Sequence, residues 1–360
     1  VALTPVFYVY PLNKWVSFHF IAEEHVRELR KHFNVVKVDE GALTVVMPVA
    51  MAASRCLFLL HPYFYPMQVY ERRLLAKVGR PDGVIGVDVA DSDHVTPEAV
   101  RLTEYAEAMV VPSTFSRNSY VNSGVRVPVY VVPHGVPDAF LASPPSKPDA
   151  FRQLRELKER RKAKLLQTWC LHSEYRKGLD LAYRIFSRLA EERKDVILVD
   201  RAPFSVNVFD SPIDPERPKP SLTVNLSWLS EAQIMELMDV CDVFLLTSRG
   251  GAFEHPPLLA LARGEPVVAA KGGAWEDYVP PWGLIPSTRC GPVLPNNPIH
   301  DGCGVEMDVD AAVDRLHEIL DDYEDYRARA EEYARERIGR EFTWRRVGEL
   351  LRDVVRKHMP

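Results

Sequence analysis

The sequence predicts a two-domain α/β protein in which each domain is a doubly wound, mostly parallel sheet. Three observations predict it. The chain has 360 residues, 46% of them apolar, which suits two domains of roughly 150 residues with a buried core each. Short β-branched runs, apolar on both faces as buried parallel strands require, alternate with stretches of helical periodicity. A Pro- and charge-rich stretch, residues 144–164, separates one such series from the next.

The first series opens with a strand at Val6–Tyr10, a helix over Ile21–His32 and a second strand at Val35–Val38, a βαβ unit. Further strands are expected at Leu57–Leu60, Val84–Val87, Ala108–Val111 and Val129–Val132, with helices at Glu98–Glu107 and Ser116–Ser123. After the break come strands at Leu165–Gln167, Val196–Val199, Val243–Leu246 and Pro266–Ala269. Val309–Ile338 and Trp344–Lys357 read as charged amphipathic helices that cover a sheet or bridge domains. In such sheets ligands sit in the crevice at the carboxyl ends of the strands. The expected domains are residues 1–145, with helix 344–360 packing back onto them, and residues 160–343.

Composition removes several classes. Lys and Arg number 45 against 50 Asp and Glu, a net charge of −5, so no global positive field advertises nucleic acid as a partner. The longest apolar stretch, Thr44–Leu60, is interrupted by Pro48 and Arg55 and is too short to span a bilayer. Peripheral membrane contact stays open. Val1–Tyr10 lacks the basic flank and cleavage site of a signal peptide, which makes the cytoplasm the expected compartment. Five cysteines, at 56, 170, 241, 290 and 303, include no CxxC. Cys290, His300 and Cys303 share one loop but lack the fourth ligand of a structural zinc site, so no metal is expected.

Chemistry-bearing residues gather at the expected strand ends. Arg176 and Lys177 precede a helix at Gly178–Arg188, so two cations and a helix N-terminus converge on one spot suited to a diphosphate. Gly250, Gly251, Ala252 and Phe253 form a small-residue loop whose N–H groups can approach a ligand. Glu254 follows, and then Pro256 and Pro257 lead into a helix at Leu258–Arg263. After the strand at Val84–Val87, Asp88, Asp91 and Asp93 crowd one loop with His94. Asp88 and Asp91 fit either hydroxyl binding or loop capping. His134 stands in a Pro-His-Gly turn after the strand at 129–132. Trp15 and the string His61-Pro-Tyr-Phe-Tyr fit sugar stacking or, better, core filling.

The segments Val110–Arg117, Ser123–Val136, Arg176–Asp180, Ser248–Val268 and Phe342–Trp344, taken in that order, resemble the retaining GT-B glycosyltransferases of family four. The resemblance covers Asp82 to Trp344. It implies two Rossmann-like domains facing a cleft, the second binding a nucleotide-sugar and the first presenting a sugar, glycan or lipid-linked acceptor. The implied activity is glycosyl transfer without metal or other cofactor, the nucleotide-sugar being a substrate. The implied roles are neutralisation of the leaving diphosphate by Arg176 and Lys177, donor contacts from Gly250 to Phe253, and acceptor-side contacts from Asp88, Asp91 and His134. Where many relatives carry a separate Arg before the Lys, this chain has His172, and Arg176 is placed to substitute. The family's two loop glutamates, with seven residues between them, align with Gly251 and Leu259, so both are absent. Glu254 reads as a shifted first acid or as a carboxylate complementing the helix dipole. The rival readings are a sugar-nucleotide epimerase and a catalytically silent sugar- or nucleotide-binding protein.

Overall fold

The computed structural model describes residues 4–142 and 149–360. The expected limit at 145 and most of the Pro-rich start of the interdomain stretch lie outside the described residues. In the first part of the chain the elements are β1 (Val6–Tyr10), α1 (Ser17–Leu29), β2 (Val35–Asp39), α2 (Leu43–Ala53), β3 (Leu57–Leu60) and α3 (Phe64–Val78). They continue with β4 (Val84–Val87), α4 (Pro97–Thr103), β5 (Ala108–Val111), α5 (Thr114–Asn122) and β6 (Val129–Val131). All six strands are parallel, in the order β2-β1-β3-β4-β5-β6.

The second part contains α6 (Asp138–Leu141), α7 (Arg152–Arg161), β7 (Lys164–Trp169), α8 (Glu174–Lys177), α9 (Leu179–Glu192) and β8 (Val196–Ala202). Next come β9 (Ser205–Phe209), β10 (Leu222–Asn225), α10 (Glu231–Val240), β11 (Val243–Leu246), α11 (His255–Ala262) and β12 (Val267–Ala270). The chain ends with β13 (Leu284–Ile285), β14 (Ser287–Pro292), β15 (Cys303–Met307), α12 (Val309–Asp321), α13 (Tyr323–Tyr333), α14 (Gly339–Glu341) and α15 (Trp344–Lys357). The second sheet runs β10-β9-β8-β7-β11-β12-β13, with β9 and β10 added antiparallel at one edge, and β14 and β15 form a separate hairpin. Two separate sheets are present, as the composition and patterning predict. The single long helix expected over Val309–Ile338 is instead divided at Asp322 and ends in a π-helical turn, Ala334–Ile338.

The chain divides into two compact units. The first comprises residues up to Gly135 with Leu294–Gly302 and Phe342–Pro360, and the second holds the described residues of Val136–Val293 with Cys303–Glu341. In the first unit strand alternation sorts side chains to two faces. Tyr8, Leu57 and Leu59 meet Ala22, Val26 and Leu29 of α1 and Trp344, Val347 and Leu351 of α15. Val9, Phe58 and Leu60 face Leu43 and Met47 of α2, Phe64 and Met67 of α3 and Leu102 of α4. The terminal helix α15 therefore completes the first unit's core. Ile299 joins that core too, and Thr96 bonds the carbonyls of Pro298 (Oγ1, 2.8 Å) and Ile299 (N, 2.9 Å).

Candidate active site

In the second sheet the strand order reverses between β7 and β11, whose neighbours on the outer sides are β8 and β12. The loops leaving the carboxyl ends of β7 and β11 diverge there, which is where doubly wound sheets hold their ligands. The β7 loop carries Arg176 and Lys177, and the β11 loop carries residues 247–254. Backbone bonds stitch the two: Arg249 N–H donates to the Arg176 carbonyl at 2.7 Å, and Thr247 Oγ1 donates to the Lys177 carbonyl at 3.2 Å. Gly178, with φ +68°, makes the approach possible, because a Cβ there would stand 2.0 Å from the Thr247 carbonyl oxygen. No other residue type tolerates both the left-handed backbone and that contact.

The predicted site residues of this unit come together around one ion pair. Lys177 Nζ lies 2.6 Å from both carboxylate oxygens of Glu254, and the two side chains are 16% and 6% exposed. Ser248 Oγ donates to the same carboxylate at 3.3 Å. Arg176 is buried, its Nη1 donating to the Gly250 carbonyl at 3.1 Å, so its charge lies directly under the glycine loop. Phe253 is buried against the Tyr278 ring, and the Tyr278 hydroxyl donates to the carbonyls of Phe253 (3.0 Å) and Glu254 (2.5 Å). Those bonds hold the loop at its junction with α11.

Glu254 occupies a left-handed backbone conformation, φ +65°, at the N-cap of α11, where it makes no side-chain cap bond. A glutamate gains nothing from that conformation, which costs an ordinary residue about 1 kcal/mol or more. Gly251, by contrast, is outside the left-handed region, yet a Cβ on it would lie 2.1 Å from Glu254 Oε1. The carboxylate of Glu254 thus fills the space into which a side chain at 251 would grow. The helix begins at His255, earlier than expected, so Pro256 and Pro257 sit inside its first turn. Leu259 falls in the second turn and is buried.

Sequence reasoning missed the strut beneath the site. Arg249, with a side chain 3% exposed, bonds both Asp180 oxygens (2.7 Å each), Glu306 (2.7 Å) and the Tyr175 carbonyl (2.8 Å), and lies over the Tyr175 ring. The spaced residues Arg249 and Asp180 were visible, but nothing in the sequence pairs them. Also unforeseen are Phe204, in the turn after β8, and Trp228, exposed by 75% and 67%. The neighbouring strand β8 is parallel to β7, so both carboxyl ends lie at the same end of the sheet.

In the first unit Asp88 ends β4 as a buried group. Its Oδ2 accepts from Phe64 N–H at 2.7 Å and its Oδ1 from Val89 N–H at 2.8 Å, which fixes the start of α3. Burial pushes its carboxyl up to about 7, against the pull of those N–H groups. Asp91 and His134 are partly exposed. The loop between Asp88 and Thr96 is fastened by α5: Ser116 Oγ bonds Ala90, Ser119 Oγ donates to the Ser92 carbonyl at 2.9 Å, and Ser123 Oγ accepts from Val95 N–H at 3.0 Å. Serines at this helical spacing were a legible signal. At this unit's own switch point, between β1 and β3, Tyr8 Oη bridges the Nδ1 atoms of His25 (2.7 Å) and His61 (3.0 Å). Burial drives both imidazoles toward the neutral form, His25 down to about 3. The expectation of core filling applies to His61, Tyr63 and Phe64, whereas Trp15 and Tyr65 are exposed, because they precede and open helices whose inward faces other residues fill.

Among the described residues no group of three or more His, Cys, Asp or Glu side chains converges as a metal site, and no helix is long and apolar enough to cross a membrane.

Two doubly wound sheets, each in its own unit, the first all parallel and the second parallel apart from β9 and β10 at one side, make a GT-B fold. Solved structures agree: HepE of Anabaena in complex with UDP-glucose is 14% identical, with a TM-score of 0.66 over 98% of this chain and 99% of that one. Sucrose-phosphate synthase of Thermosynechococcus elongatus is 13% identical, with a TM-score of 0.64 over 98% of both chains. No family model matches the sequence. The chain belongs to the family of uncharacterized protein 356 of Sulfolobus islandicus rod-shaped virus 1, to which it is 32% identical over 363 residues, 98% of each protein. It is also similar to the protein named "Putative glycosyltransferase 45" of Sulfolobus islandicus filamentous virus, 25% identical over 196 residues, 53% of this chain and 50% of that protein.

Proposed function

We propose that this protein is a nucleotide-sugar-dependent glycosyltransferase of the retaining type, with its donor site at the β7–β11 switch point. The observation that carries the reading is the meeting of Lys177 and Glu254, far apart in sequence, at the place where this fold holds ligands. HepE holds UDP-glucose in a structure of the same fold, which makes that donor the first to test.

In this reading Lys177 takes the diphosphate, Arg176 adds positive charge from below the glycine loop, and N–H groups of residues 250–253 approach the donor. Glu254 takes hydroxyls of the transferred sugar, standing in for the acid that the family pattern puts at 251. The anomeric C–O bond to the diphosphate breaks while the acceptor oxygen bonds the same face of the carbon. The acceptor's proton passes to the leaving phosphate. This chemistry asks the protein for positioning and for neutralisation of charge developing on the leaving group, which fixed cations supply without a strong base. Asp88 acts on the acceptor side by holding the start of α3, while Asp91 and His134 contact the acceptor.

The test is calorimetric titration with UDP and UDP-glucose, paired with an assay of UDP release over a panel of acceptor sugars. Lys177→Ala is expected to weaken UDP binding by about 1.5–3 kcal/mol, the scale of a charge-assisted hydrogen bond. The double variant Lys177→Ala/Glu254→Gln controls for the carboxylate left behind. Equal affinity in wild type and both variants rejects the site. Binding without release of UDP in any acceptor assay rejects transfer and leaves a binding protein.

A further inference from the structure

We propose that the outer face of α2 and α3 docks this protein on an anionic lipid surface. The inward residues of both helices, Leu43 and Met47 of α2 and Phe64 and Met67 of α3, enter one core cluster on one face of the first sheet. Their outward stripes therefore share one surface. A helix covering a sheet ordinarily turns polar residues outward, and α2 does not. Its sequence, LTVVMPVAMAA, has no charged residue, and its outward positions are Val45 and Val49, 62% and 65% exposed, followed by Ala52. Beside them α3 exposes Tyr65 and Val69, one turn apart. Val45 and Val49 on α2, and Tyr65 and Val69 on α3, each stand one turn apart, so each helix carries an exposed apolar stripe rather than the singly scattered apolar residues of ordinary surfaces.

Cations surround it. Between Leu43 and Arg80 the chain carries Arg55, Arg72, Arg73, Lys77 and Arg80, all exposed, against one carboxylate, Glu71. Glu71 is already bonded to Arg101 at 2.5 Å. Lys77 Nζ reaches the Thr44 carbonyl at 2.7 Å, which ties the basic end of α3 to the start of α2. Lys14 stands over the Tyr65 ring but is already paired with Glu40 at 2.6 Å, so it adds little free charge, and Trp15 next to it is 71% exposed. In a chain of net charge −5 this concentration of positive charge is local. An apolar strip inside a basic rim matches a bilayer interface, where valines and aromatic rings enter the acyl boundary and the cations meet lipid phosphates.

Charge complementarity selects this occupant. A second copy seated on the same face by two-fold symmetry would set Arg72 and Arg73 against the same arginines, with Glu71, already held by Arg101, the one carboxylate of this stretch to answer them. Nucleic acid would meet the cations, but Val45 and Val49 on α2 offer bases no stacking surface, and aromatic rings stand at Trp15 and Tyr65, off that helix. The proposal is independent of the glycosyl-transfer reading.

The experiment is flotation of the full chain with phosphatidylcholine vesicles, with and without phosphatidylserine, at low and high salt. Wild type is expected to float with the anionic vesicles, less at high salt, and not with the neutral ones. Arg72→Glu/Arg73→Glu should lower the partition coefficient by about fivefold or more per residue. Val45→Asp/Val49→Asp should release the protein while its melting temperature holds, since both valines are exposed. Failure of wild type to bind anionic vesicles overturns the proposal, as does binding that neither variant pair reduces. A wild-type dimer that Val45→Asp/Val49→Asp converts to monomer would give the face to a second copy and overturn it equally.

Discussion

Exchanging Gly251 and Glu254 tests whether one carboxylate has moved along its loop. Glu254→Gly relieves a left-handed conformation at φ +65°, worth about 1 kcal/mol. It also removes both 2.6 Å contacts to Lys177. Breaking a buried pair costs about 3–5 kcal/mol, and since Lys177 keeps 16% exposure we take about 2–3 kcal/mol here. The net loss is about 1–2 kcal/mol, or roughly 2–8 °C in melting temperature for a unit of this size. Gly251→Glu alone drives a Cβ to within 2.1 Å of Glu254 Oε1 and sets two carboxylates on one lysine, a loss at least as large. The double variant Gly251→Glu/Glu254→Gly removes the strain and the crowding together and returns a carboxylate to Lys177. It is expected within about 1 kcal/mol of wild type, which makes the coupling about 2–3 kcal/mol. Melting temperatures report on the pair, and UDP-glucose titrations report on the site. Additive losses would refute the reasoning, because they would show that a carboxylate rooted at 251 does not reach Lys177.

Three further outcomes are expected. Leu259→Glu places an unpaired carboxylate in a buried position, so its melting temperature should fall steeply, with a shift on adding UDP no larger than that of wild type. Gly178→Ala meets both φ +68° and the Thr247 carbonyl 2.0 Å from the new Cβ; it should lose about 2 kcal/mol or more of stability and also weaken UDP, because the loops it parts carry Lys177 and Glu254. His25, held down to about 3 by burial, contributes stability that is full above about pH 6.5 and is lost as pH falls, at about 1.4 kcal/mol per pH unit. Asp88, pushed up to about 7, contributes stability that is full below about pH 4 and is lost as pH rises toward 7. Difference curves of wild type against His25→Phe and against Asp88→Asn should therefore slope in opposite directions between those limits, and parallel curves would contradict the burial argument.

The parallel strands were legible because burial on both faces leaves short β-branched runs bounded by turn signals. Val84–Val87, Ala108–Val111 and Val243–Leu246 match the structure residue for residue. Helix α2 was not legible, since a helix that is apolar on all sides and contains Pro48 has no 3.6-residue signal. The antiparallel pair β9 and β10 was missed for a related reason: short strands with mixed polarity resemble loops. At the site, the residue types at 176, 177 and 254 were readable, but their pairing spans 77 positions and depends on which strands are neighbours. Asp88 shows the limit of reading residue type alone. A carboxylate at a strand end looks available for sugar hydroxyls until its neighbours show it buried on two N–H groups.

The Lys177–Glu254 pair also sets an expectation for donor preference. A diphosphate that takes Lys177 removes the principal partner of a carboxylate only 6% exposed, leaving it Ser248 at 3.3 Å. UDP alone brings negative charge to that spot and no donor for Glu254, so the carboxylate is left under-bonded at a cost of about 1–3 kcal/mol. UDP-glucose brings hydroxyls, which donate to Glu254 and return that cost. Wild type is therefore expected to bind UDP-glucose more tightly than UDP, by a factor of about ten to a hundred. In Glu254→Gln the side chain is neutral and its amide can both donate and accept, so UDP binding should improve and the preference should shrink toward unity. Paired titrations of wild type and Glu254→Gln measure the ratio directly. If wild type holds UDP as tightly as UDP-glucose and the substitution leaves the ratio unchanged, Glu254 does not face the sugar and its part at the head of α11 is confined to keeping Lys177 in place.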